Sequence, residues 1–227
     1  YLGNYHPLNL LTYAIEYHFW QLNPFPYHFN NVILHIINSL LVFFVFRKIS
    51  KNEYISLFVA LLFAVHPMHV ESVTWVSERK DVLYVFFYML ALLTWLKYRE
   101  TKRNTYYFST LVLFVLSCLS KGMAVTLGAI VILIDLYLDK KIIKSNIIKY
   151  IPILIISLVF GIIAIDAQKS GGASDFGKNI LNIYSWKDKF LFANYSLFIY
   201  LEKLFLPLNL STLYPYPNKI NNLFPTI

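Results

Sequence analysis

The chain has 227 residues, of which 58% are hydrophobic and only 14% are charged, whereas an ordinary soluble domain is about a quarter charged. No Pro-, Gly- or Ser-rich linker divides the sequence, so the composition favours one polytopic membrane domain over separate globular domains. The net charge of +8 lies in short loops between apolar segments and forms no aromatic-interleaved stripe. This pattern excludes nucleic acid as the expected partner and predicts membrane lipids as the surroundings.

The first patterned segment, residues 7–20, reads PLNLLTYAIEYHFW and is too short to cross a bilayer, since it reaches only ~20 Å as a helix. Leu11 and Ile15 fall on one helical face and Glu16 falls on another. The spacing predicts an amphipathic helix at the membrane interface, within an external segment of residues 1–27. Its role stays open between a surface anchor and a wall of a substrate groove.

Seven apolar segments then follow, each long enough, or nearly so, to cross ~30 Å of hydrocarbon. They occupy residues 28–46, 53–66, 82–97, 104–119, 122–138, 147–165 and 189–206. The expected fold is an all-α integral membrane bundle of about seven spans in a single domain. Residues 28–165 hold six of these spans, 189–206 forms a seventh span or an interfacial helix, and 207–227 is a linker.

Basic residues mark alternate connections between these segments. RKISK (47–51), KYRETKR (97–103) and DKKIIKSNIIK (139–149) hold eleven of the twenty Lys and Arg residues. The positive-inside rule places these three loops in the cytoplasm. The opposite, external side then receives the stretch 66–81, the tight turn 120–122 and the loop 166–188.

Polar side chains recur along the first apolar segment at positions i, i+3, i+7 and i+10, namely His28, Asn31, His35 and Asn38. Such a spacing keeps them on one helical face, which lipid would not tolerate. The stripe is therefore expected to face neighbouring helices as hydrogen-bonding groups, or to line a pathway.

The stretch HPMHVESVTWVSERKD, which begins at His66, is unusually polar for its place between two apolar segments. Only about a dozen apolar residues precede it, giving ~20 Å of helix, so His66 and Pro67 are expected below the membrane surface, where polar groups must line a protein cavity. If a helix restarts at Pro67, then Glu71, Trp75 and Arg79 share one stripe at i, i+4 and i+8.

Three kinds of site remain open for this stretch. A metal site would use His66, His69 and Glu71. A structural ion-pair network would join Glu71 to Arg79 or Lys80. A phosphate or sugar-phosphate site would use the planar fork of donors on Arg79, with carboxylates orienting sugar hydroxyls.

Lys121 bears on the last of these alternatives. It occupies a turn of a few residues between two apolar segments, on the same predicted side as Arg79. A lysine there reaches either the lipid headgroups or a central cavity. In the phosphate site, Arg79 and Lys121 would both bind the phosphate.

Four stretches carry a family resemblance. In chain order they are YHPLNLLTYAIEYHFWQLNPFPYHFNNVILHIINSLLVF, LLFAVHPMHVESVTWVSERKDVLYVFFYMLALL, LSKGMAVTLGAIVILIDLYL and YLEKLFLPLNLSTLYPYP. In these stretches the chain resembles the transmembrane and tetratricopeptide-repeat-containing O-mannosyltransferases and their bacterial relatives, which are membrane glycosyltransferases of the GT-C class. The most distinctive matches are LNPFxYH and HPxHxExVxWxxxRxD.

The resemblance implies transfer of a mannose-like sugar from a polyprenyl-phosphate donor to a hydroxyl of a protein or other acceptor outside the cytoplasm. We expect no cofactor and no metal, because two cations can neutralise a phosphate leaving group. Its motifs include His66, His69, Glu71, Trp75, Arg79, Asp81 and Lys121. We predict catalytic or orienting roles for Glu71 and Asp81, and substrate binding by His6, His66, His69, Trp75, Arg79 and Lys121. A transporter or flippase of lipid-linked sugars, or a non-catalytic scaffold for a repeat domain, are the alternative functions.

Two residues depart from the family pattern: His6 stands where an arginine is usual, and Gly128 where a proline is usual. The acidic loop that supplies the family's catalytic base would precede Tyr1, and a repeat domain would follow Ile227, so a piece of a longer protein is expected. The Lys-, Asn-, Ile- and Tyr-rich composition favours a bacterial inner membrane; in a eukaryote the same protein would lie in the endoplasmic reticulum membrane.

Overall fold

The computed structural model describes residues 5–140, 144–170, 185–208 and 210–211. In these ranges the regular structure is helical throughout, with no strand, which confirms the all-α prediction. The chain divides into two compact units, Tyr1–Ser174 and Asp175–Ile227. The predicted linker lies largely outside the described residues, as does most of the predicted external loop, whose first residues instead continue a helix as far as Ser170.

The described part of the first unit contains eight α-helices. They are α1 Pro7–Trp20, α2 Pro24–Ser50, α3 Glu53–Val65, α4 Val70–Thr74, α5 Arg79–Thr101, α6 Asn104–Ser120, α7 Leu127–Asp139 and α8 Lys144–Ser170. Short 3-10 segments, Pro67–His69, Val76–Glu78 and Gly122–Thr126, precede α4, α5 and α7. The second unit contains α9, Trp186–Phe205, whose N-terminus is closed by a capping box between Ser185 and Asp188.

Local sequence explains where α2 and α3 begin and how they are joined. The side chain of Asn23 accepts a hydrogen bond from the backbone N–H of Phe25 (3.1 Å), ahead of a proline that suits the first helical turn. Lys51 ends α2 in the left-handed conformation, and the side chain of Asn52 caps α3 by accepting from the backbone N–H groups of Tyr54 and Ile55. The two helices therefore form a tight antiparallel hairpin.

The prediction of about seven spans is not confirmed. Among the described residues, four helical stretches are long and apolar enough to cross a membrane: Pro24–Ser50, Val76–Thr101, Gly122–Asp139 and Ile147–Gln168. A fifth is added if α3 and the segment Pro67–Thr74, which are bent by 51° relative to each other, form one broken span. The predicted spans 104–119 and 189–206 fall outside this set, because α6 has only 17 residues and α9 carries charged residues in both its first and last turns.

Helix α5 forms the centre of the first unit, since it packs against α2 on one side and α6 on the other. Trp95 in α5 is 1% exposed and belongs to a core of apolar side chains that come mainly from α5 to α8, with Val45 of α2. Many apolar side chains on the outer faces of α2, α3 and α8 are exposed, as expected of helices that face lipid rather than water.

The three basic loops meet at one end of the first unit. Lys48 pairs with Glu100 (2.7 Å), and Arg99 pairs with Asp139 (2.7 Å). Contacts at the opposite end join α1, the stretch after α3 and the turn before α7. The predicted segregation of the loops is therefore present in the fold, while the side of the membrane that each end faces stays a prediction.

Asp135 joins three helices near the basic end of the bundle. One carboxylate oxygen accepts from Trp95 Nε1 (3.0 Å) and pairs with Arg99 Nε (2.7 Å). The other oxygen accepts from Tyr150 Oη (2.7 Å). Since Asp135 is only 3% exposed, its charge is compensated entirely by side chains of α5 and α8.

We expect Asp135→Ala to destabilise the first unit by about 2–5 kcal/mol, because it removes the acceptor of the buried Trp95 and Tyr150 donors and one of the two carboxylates that pair with Arg99. Asp139→Ala, one turn further along α7, removes a single contact of a more exposed carboxylate and is expected to cost about 0–1 kcal/mol. Thermal unfolding in detergent measures both. Equal losses for the two variants would contradict this role for Asp135.

Candidate active site

The stretch after α3 is broken twice, so the single helix considered from Pro67 to Arg79 does not form. His66 is extended before the proline, and Trp75 is extended again between α4 and the segment that precedes α5. The residue before a proline disfavours helical geometry. The carbonyl of Trp75 accepts from Asn31 Nδ2 (3.2 Å) as well as from the backbone N–H of Glu78 (3.1 Å) in the turn that precedes α5. Glu71 and Trp75 consequently lie exposed while Arg79 is buried, and the predicted shared stripe does not form.

Arg79 is enclosed by protein groups, and only 1% of its side chain is exposed. Its Nη1 pairs with the Glu16 carboxylate of α1. Its Nε donates to Asn31 Oδ1 (2.9 Å), and its Nη2 donates to the carbonyl of Tyr27 (2.8 Å). The ring of Tyr13 lies 4.8 Å from the guanidinium carbon. Protein acceptors from α1 and α2 thus occupy each of the three guanidinium nitrogens.

Glu16 is the partner that the sequence did not reveal. Its other carboxylate oxygen accepts from Asn30 Nδ2 (2.6 Å), and Glu16 is 6% exposed. The predicted network had joined Glu71 to Arg79 or Lys80, but Glu71 is exposed and Lys80 pairs with Glu78 (2.9 Å). The signal available was the polar face of residues 7–20, which turns toward the protein while Leu11 and Ile15 stay exposed.

Asp81 and Lys121 come together at the start of α5. The Nζ of Lys121 pairs with one carboxylate oxygen of Asp81, and the hydroxyl of Ser72 donates to the other oxygen (3.1 Å). Lys121 sits in an extended backbone segment between α6 and the turn before α7. About a fifth of each side chain is exposed, 23% for Lys121 and 21% for Asp81. Unlike the enclosed guanidinium of Arg79, this ion pair is open to an incoming ligand.

A cleft of about 430 Å³ lies beside this ion pair. Its cationic wall is formed by His6, Lys80 and Lys121. The facing wall comes from α8, where Gly161, Ala164 and Ile165 line the cleft. A Cβ atom added at Gly161 would meet no atom within 4 Å. The cleft therefore joins positive charge on one side to an open, small-residue apolar surface on the other.

His6 precedes the first turn of α1 and lines the cationic wall. Its Nδ1 is buried and has no hydrogen-bond partner among the described residues. Burial, and then the nearby charge of Lys80, lower the pKa of His6 from its ordinary value, while Glu78 acts in the opposite direction. The imidazole is therefore held toward its neutral form.

The remaining predicted histidines lie apart from the cleft, against α2. His66 is 8% exposed, and its Nδ1 accepts from the backbone N–H of Met68 (3.3 Å). The ring of His69 lies 4.5 Å from Phe63 and 5.8 Å from His35, measured between centroids. Within the described ranges, no three His, Cys, Asp or Glu side chains are grouped so that they could hold a metal ion.

The polar stripe of α2 forms interhelical hydrogen bonds over most of its length. Asn31 bonds Arg79 and the Trp75 carbonyl, His35 Nε2 lies 3.0 Å from the carbonyl oxygen of Ala64, and Asn38 Nδ2 donates to the carbonyl of Val82 (2.8 Å). His28 is the exposed member of the stripe. The hydrogen-bonding alternative therefore holds for the three inner positions.

The fold and the cleft define a polytopic helical membrane protein with an ionic site at one end of its bundle. A model of the family described as dolichyl-phosphate-mannose-protein mannosyltransferase matches residues 13–164. This match covers more than half of the chain, and the chain belongs to that family of glycosyltransferases.

Named relatives agree with this assignment. The chain is 38% identical to the protein O-mannosyl-transferase TMTC1 of Homo sapiens over 93 residues, which are 40% of this chain and 10% of the human protein. It is 31% identical to a protein O-mannosyl-transferase of Caenorhabditis elegans over 159 residues, which are 67% of this chain and 22% of that protein. The chain thus spans less than a quarter of either relative. No solved structure matches it.

We expect Glu16→Ala to lower the stability of the protein by about 3–5 kcal/mol, because it leaves the Arg79 guanidinium buried without its counter-ion. Glu71→Ala, at an exposed position on the same end of the bundle, is expected to change stability by less than about 0.5 kcal/mol. Thermal unfolding of the two variants in the same detergent compares them. A destabilising Glu71→Ala beside a neutral Glu16→Ala would restore the originally predicted pairing.

Proposed function

We propose that this chain forms the donor-binding part of a membrane mannosyltransferase. In this proposal a mannose-like sugar passes from a polyprenyl-phosphate donor to a hydroxyl of a protein acceptor on the non-cytoplasmic side. Membership of the mannosyltransferase family and the printed names of the relatives support the sugar and the acceptor class. The gathering of the basic loops at the end away from the cleft supports the sidedness through the positive-inside rule.

The observation that carries the proposal is the half-open Lys121–Asp81 ion pair at the edge of the cleft. An ammonium group has three donors, so Lys121 has donors beyond the one directed at Asp81 with which to bind a phosphate oxygen. Neutralising the phosphate makes it a better leaving group, since negative charge develops on it as the sugar departs. Lys121 is therefore assigned to the donor phosphate.

Asp81 is assigned to the sugar. When a phosphate draws Lys121 toward itself, the Asp81 carboxylate gains capacity to accept from a sugar hydroxyl, while Ser72 continues to hold its second oxygen. The same two residues would thus couple phosphate binding to sugar orientation. The exposed Glu71 and Trp75 remain predicted contacts for the sugar or the acceptor at the rim of this end.

Arg79 is assigned a positioning role rather than the phosphate contact predicted for it. Its three nitrogens already bond to Glu16, Asn31 and Tyr27, and it is absent from the residues that line the cleft. Removing it from those acceptors would cost more than one phosphate contact returns, because a buried ion pair would be broken. Arg79 instead holds α1, and with it His6, against the start of α5.

The apolar wall of the cleft is assigned to the first isoprene units of the donor lipid. Gly161 and Ala164 have small side chains and leave space along α8 at this wall. The neighbouring Ile162 is 59% exposed on the outside of the same helix. An isoprenoid chain entering from the bilayer would bury apolar surface here, at about 25 cal/mol per Å².

We expect Lys121→Ala to reduce kcat/KM for sugar transfer on the order of 100-fold, the loss typical for removal of one group that stabilises developing charge. Lys97→Ala, a partly exposed lysine at the basic end, is the matched control and should transfer normally. The assay uses the full-length protein in liposomes with polyprenyl-phosphate mannose and a panel of protein acceptors. Normal transfer by Lys121→Ala would refute the phosphate assignment.

The same liposomes separate the alternative functions. Movement of the donor across the bilayer without transfer would identify a transporter. Neither movement nor transfer by the wild-type protein, with any acceptor tested, would favour a scaffold.

We expect Gly161→Leu to raise the KM for a long-chain donor about tenfold, because the leucine side chain occupies the open space beside the ion pair. Ile162→Leu, one residue along but outside the residues that line the cleft, should leave the KM unchanged. Measuring both variants with a water-soluble, short-chain donor adds a second control, since the effect of Gly161→Leu should shrink as the chain shortens. An equal rise in KM for both variants would contradict binding of the donor lipid at this wall.

A further inference from the structure

The cationic wall of the cleft holds one side chain whose charge is not fixed. Lys80 is paired with Glu78, and Lys121 is paired with Asp81, so the formal charges of these four residues cancel. His6 lines the same cleft, and its buried Nδ1 has no hydrogen-bond partner among the described residues. His6 therefore lines the cleft beside Lys121 with hydrogen-bonding capacity that the described side chains leave unused.

The surroundings of His6 favour an anion as the ligand of the cleft. The charged or titratable groups around it are Lys80 and Glu78 near the start of α5, Lys121 in the turn before α7, and the adjacent Tyr5. The α8 residues that line the cleft carry no charge. The two lysines and their two carboxylate partners therefore carry no net charge in the absence of a ligand. Protonation of His6 is then disfavoured by burial and by the charge of Lys80.

We propose that His6 is a further phosphate-binding residue of the cleft, and that it takes up a proton when a phosphate-bearing lipid enters. This inference rests on the proposed function, because it assigns to the same ligand a second contact. A polyprenyl-phosphate sugar is a phosphodiester with one negative charge, which matches the single positive charge that a protonated His6 adds to an otherwise balanced wall. The imidazolium then donates a charge-assisted hydrogen bond to a phosphate oxygen.

Sugar transfer strengthens this contact. The acceptor oxygen forms a bond to the sugar carbon, and the bond from that carbon to the phosphate oxygen breaks. The phosphate retains the electron pair of the broken bond. The proton of the acceptor hydroxyl passes to solvent. The lipid product is a phosphate monoester, which carries close to two negative charges at neutral pH because its second pKa is about 6. His6 consequently holds the product more tightly than the donor, and loss of its proton assists release.

The sign of the pH dependence follows from the two protonation states. Protonated His6 binds the phosphate better, so donor affinity is highest below the pKa of His6 in the empty cleft. The affinity falls as the pH rises through the pKa values of the empty and occupied cleft, and it is lowest above both. Because the pKa in the empty cleft lies below the ordinary histidine value, the binding reaction takes up protons near neutral pH.

The test is equilibrium binding of a polyprenyl-phosphate sugar to the full-length protein in detergent, between about pH 5.5 and pH 8. The charge of this diester does not change across the range, so any pH dependence comes from the protein. For wild-type protein we expect the Kd to rise about tenfold toward pH 8, the effect of losing one charge-assisted hydrogen bond. The variant His6→Gln should show the weak, high-pH affinity throughout, and His6→Arg should bind tightly throughout.

Two controls keep the result interpretable. His18→Gln changes an exposed histidine of the same helix and should retain the wild-type pH profile. The side chain of His6 makes no capping hydrogen bond to α1, so His6→Gln should unfold at the wild-type temperature.

A flat pH profile for wild-type protein, or an unchanged profile in His6→Gln, would overturn the role of His6. Lys121→Ala, measured in the same assay, separates the two proposals. Weak binding by Lys121→Ala together with a wild-type profile for His6→Gln would refute the His6 contact alone. Wild-type binding by Lys121→Ala would refute the phosphate site on which both proposals depend.

Discussion

The buried ion pair between Arg79 and Glu16 is the constraint on which the arrangement of the site depends. A guanidinium that is 1% exposed needs acceptors from the protein, because an unpaired buried charge costs several kcal/mol. Here α1 supplies the carboxylate, and α2 supplies an amide oxygen and a backbone carbonyl. The three helices are thereby fixed to one another, and the N-terminus of α1 is held where His6 lines the cleft.

Breaks in the helices place the other polar groups. The backbone leaves helical geometry at His66, at Trp75 and at Lys121, and irregular backbone at membrane depth is tolerated only where protein satisfies its hydrogen bonds. Side chains of α1 and α2 do so here, since Asn31 donates to the Trp75 carbonyl and Tyr13 donates to the next one. The polar stripe of α2 thus supplies hydrogen bonds that the broken stretch after α3 requires.

The sequence predicted the parts of this structure that depend on local pattern. The apolar segments and their spacing located most of the helices, and the alternating basic loops predicted which connections meet at one end. It did not predict the break at Trp75, because nothing local distinguishes VESVTWVSE from a continuing helix. The carbonyl of Trp75 accepts a hydrogen bond from Asn31, which lies 44 positions earlier in the chain. The partner of Arg79 was missed for the same reason, since Glu16 is 63 positions earlier in the chain.

The contacts of Gly128 explain why a glycine fits at this position, where the family pattern has a proline. A Cβ atom there would lie 2.4 Å from the hydroxyl oxygen of Ser157 in α8, so the glycine permits a close approach of α7 to α8. A proline at this position would bring a side chain into the same space.

Arg79 and Lys121 show why charge and spacing alone could not assign the site. Both are cations flanked by apolar segments, and both fall on motifs of the same family, so nothing in their sequence context separates their roles. Burial separates them: Arg79 has its three nitrogens bonded to protein, whereas the side chain of Lys121 is 23% exposed beside a cleft and shares its charge with a carboxylate that is itself partly open. A ligand competes for a cation only where the protein has left part of its hydrogen-bonding capacity unused, and at this end of the bundle that condition favours Lys121 over Arg79.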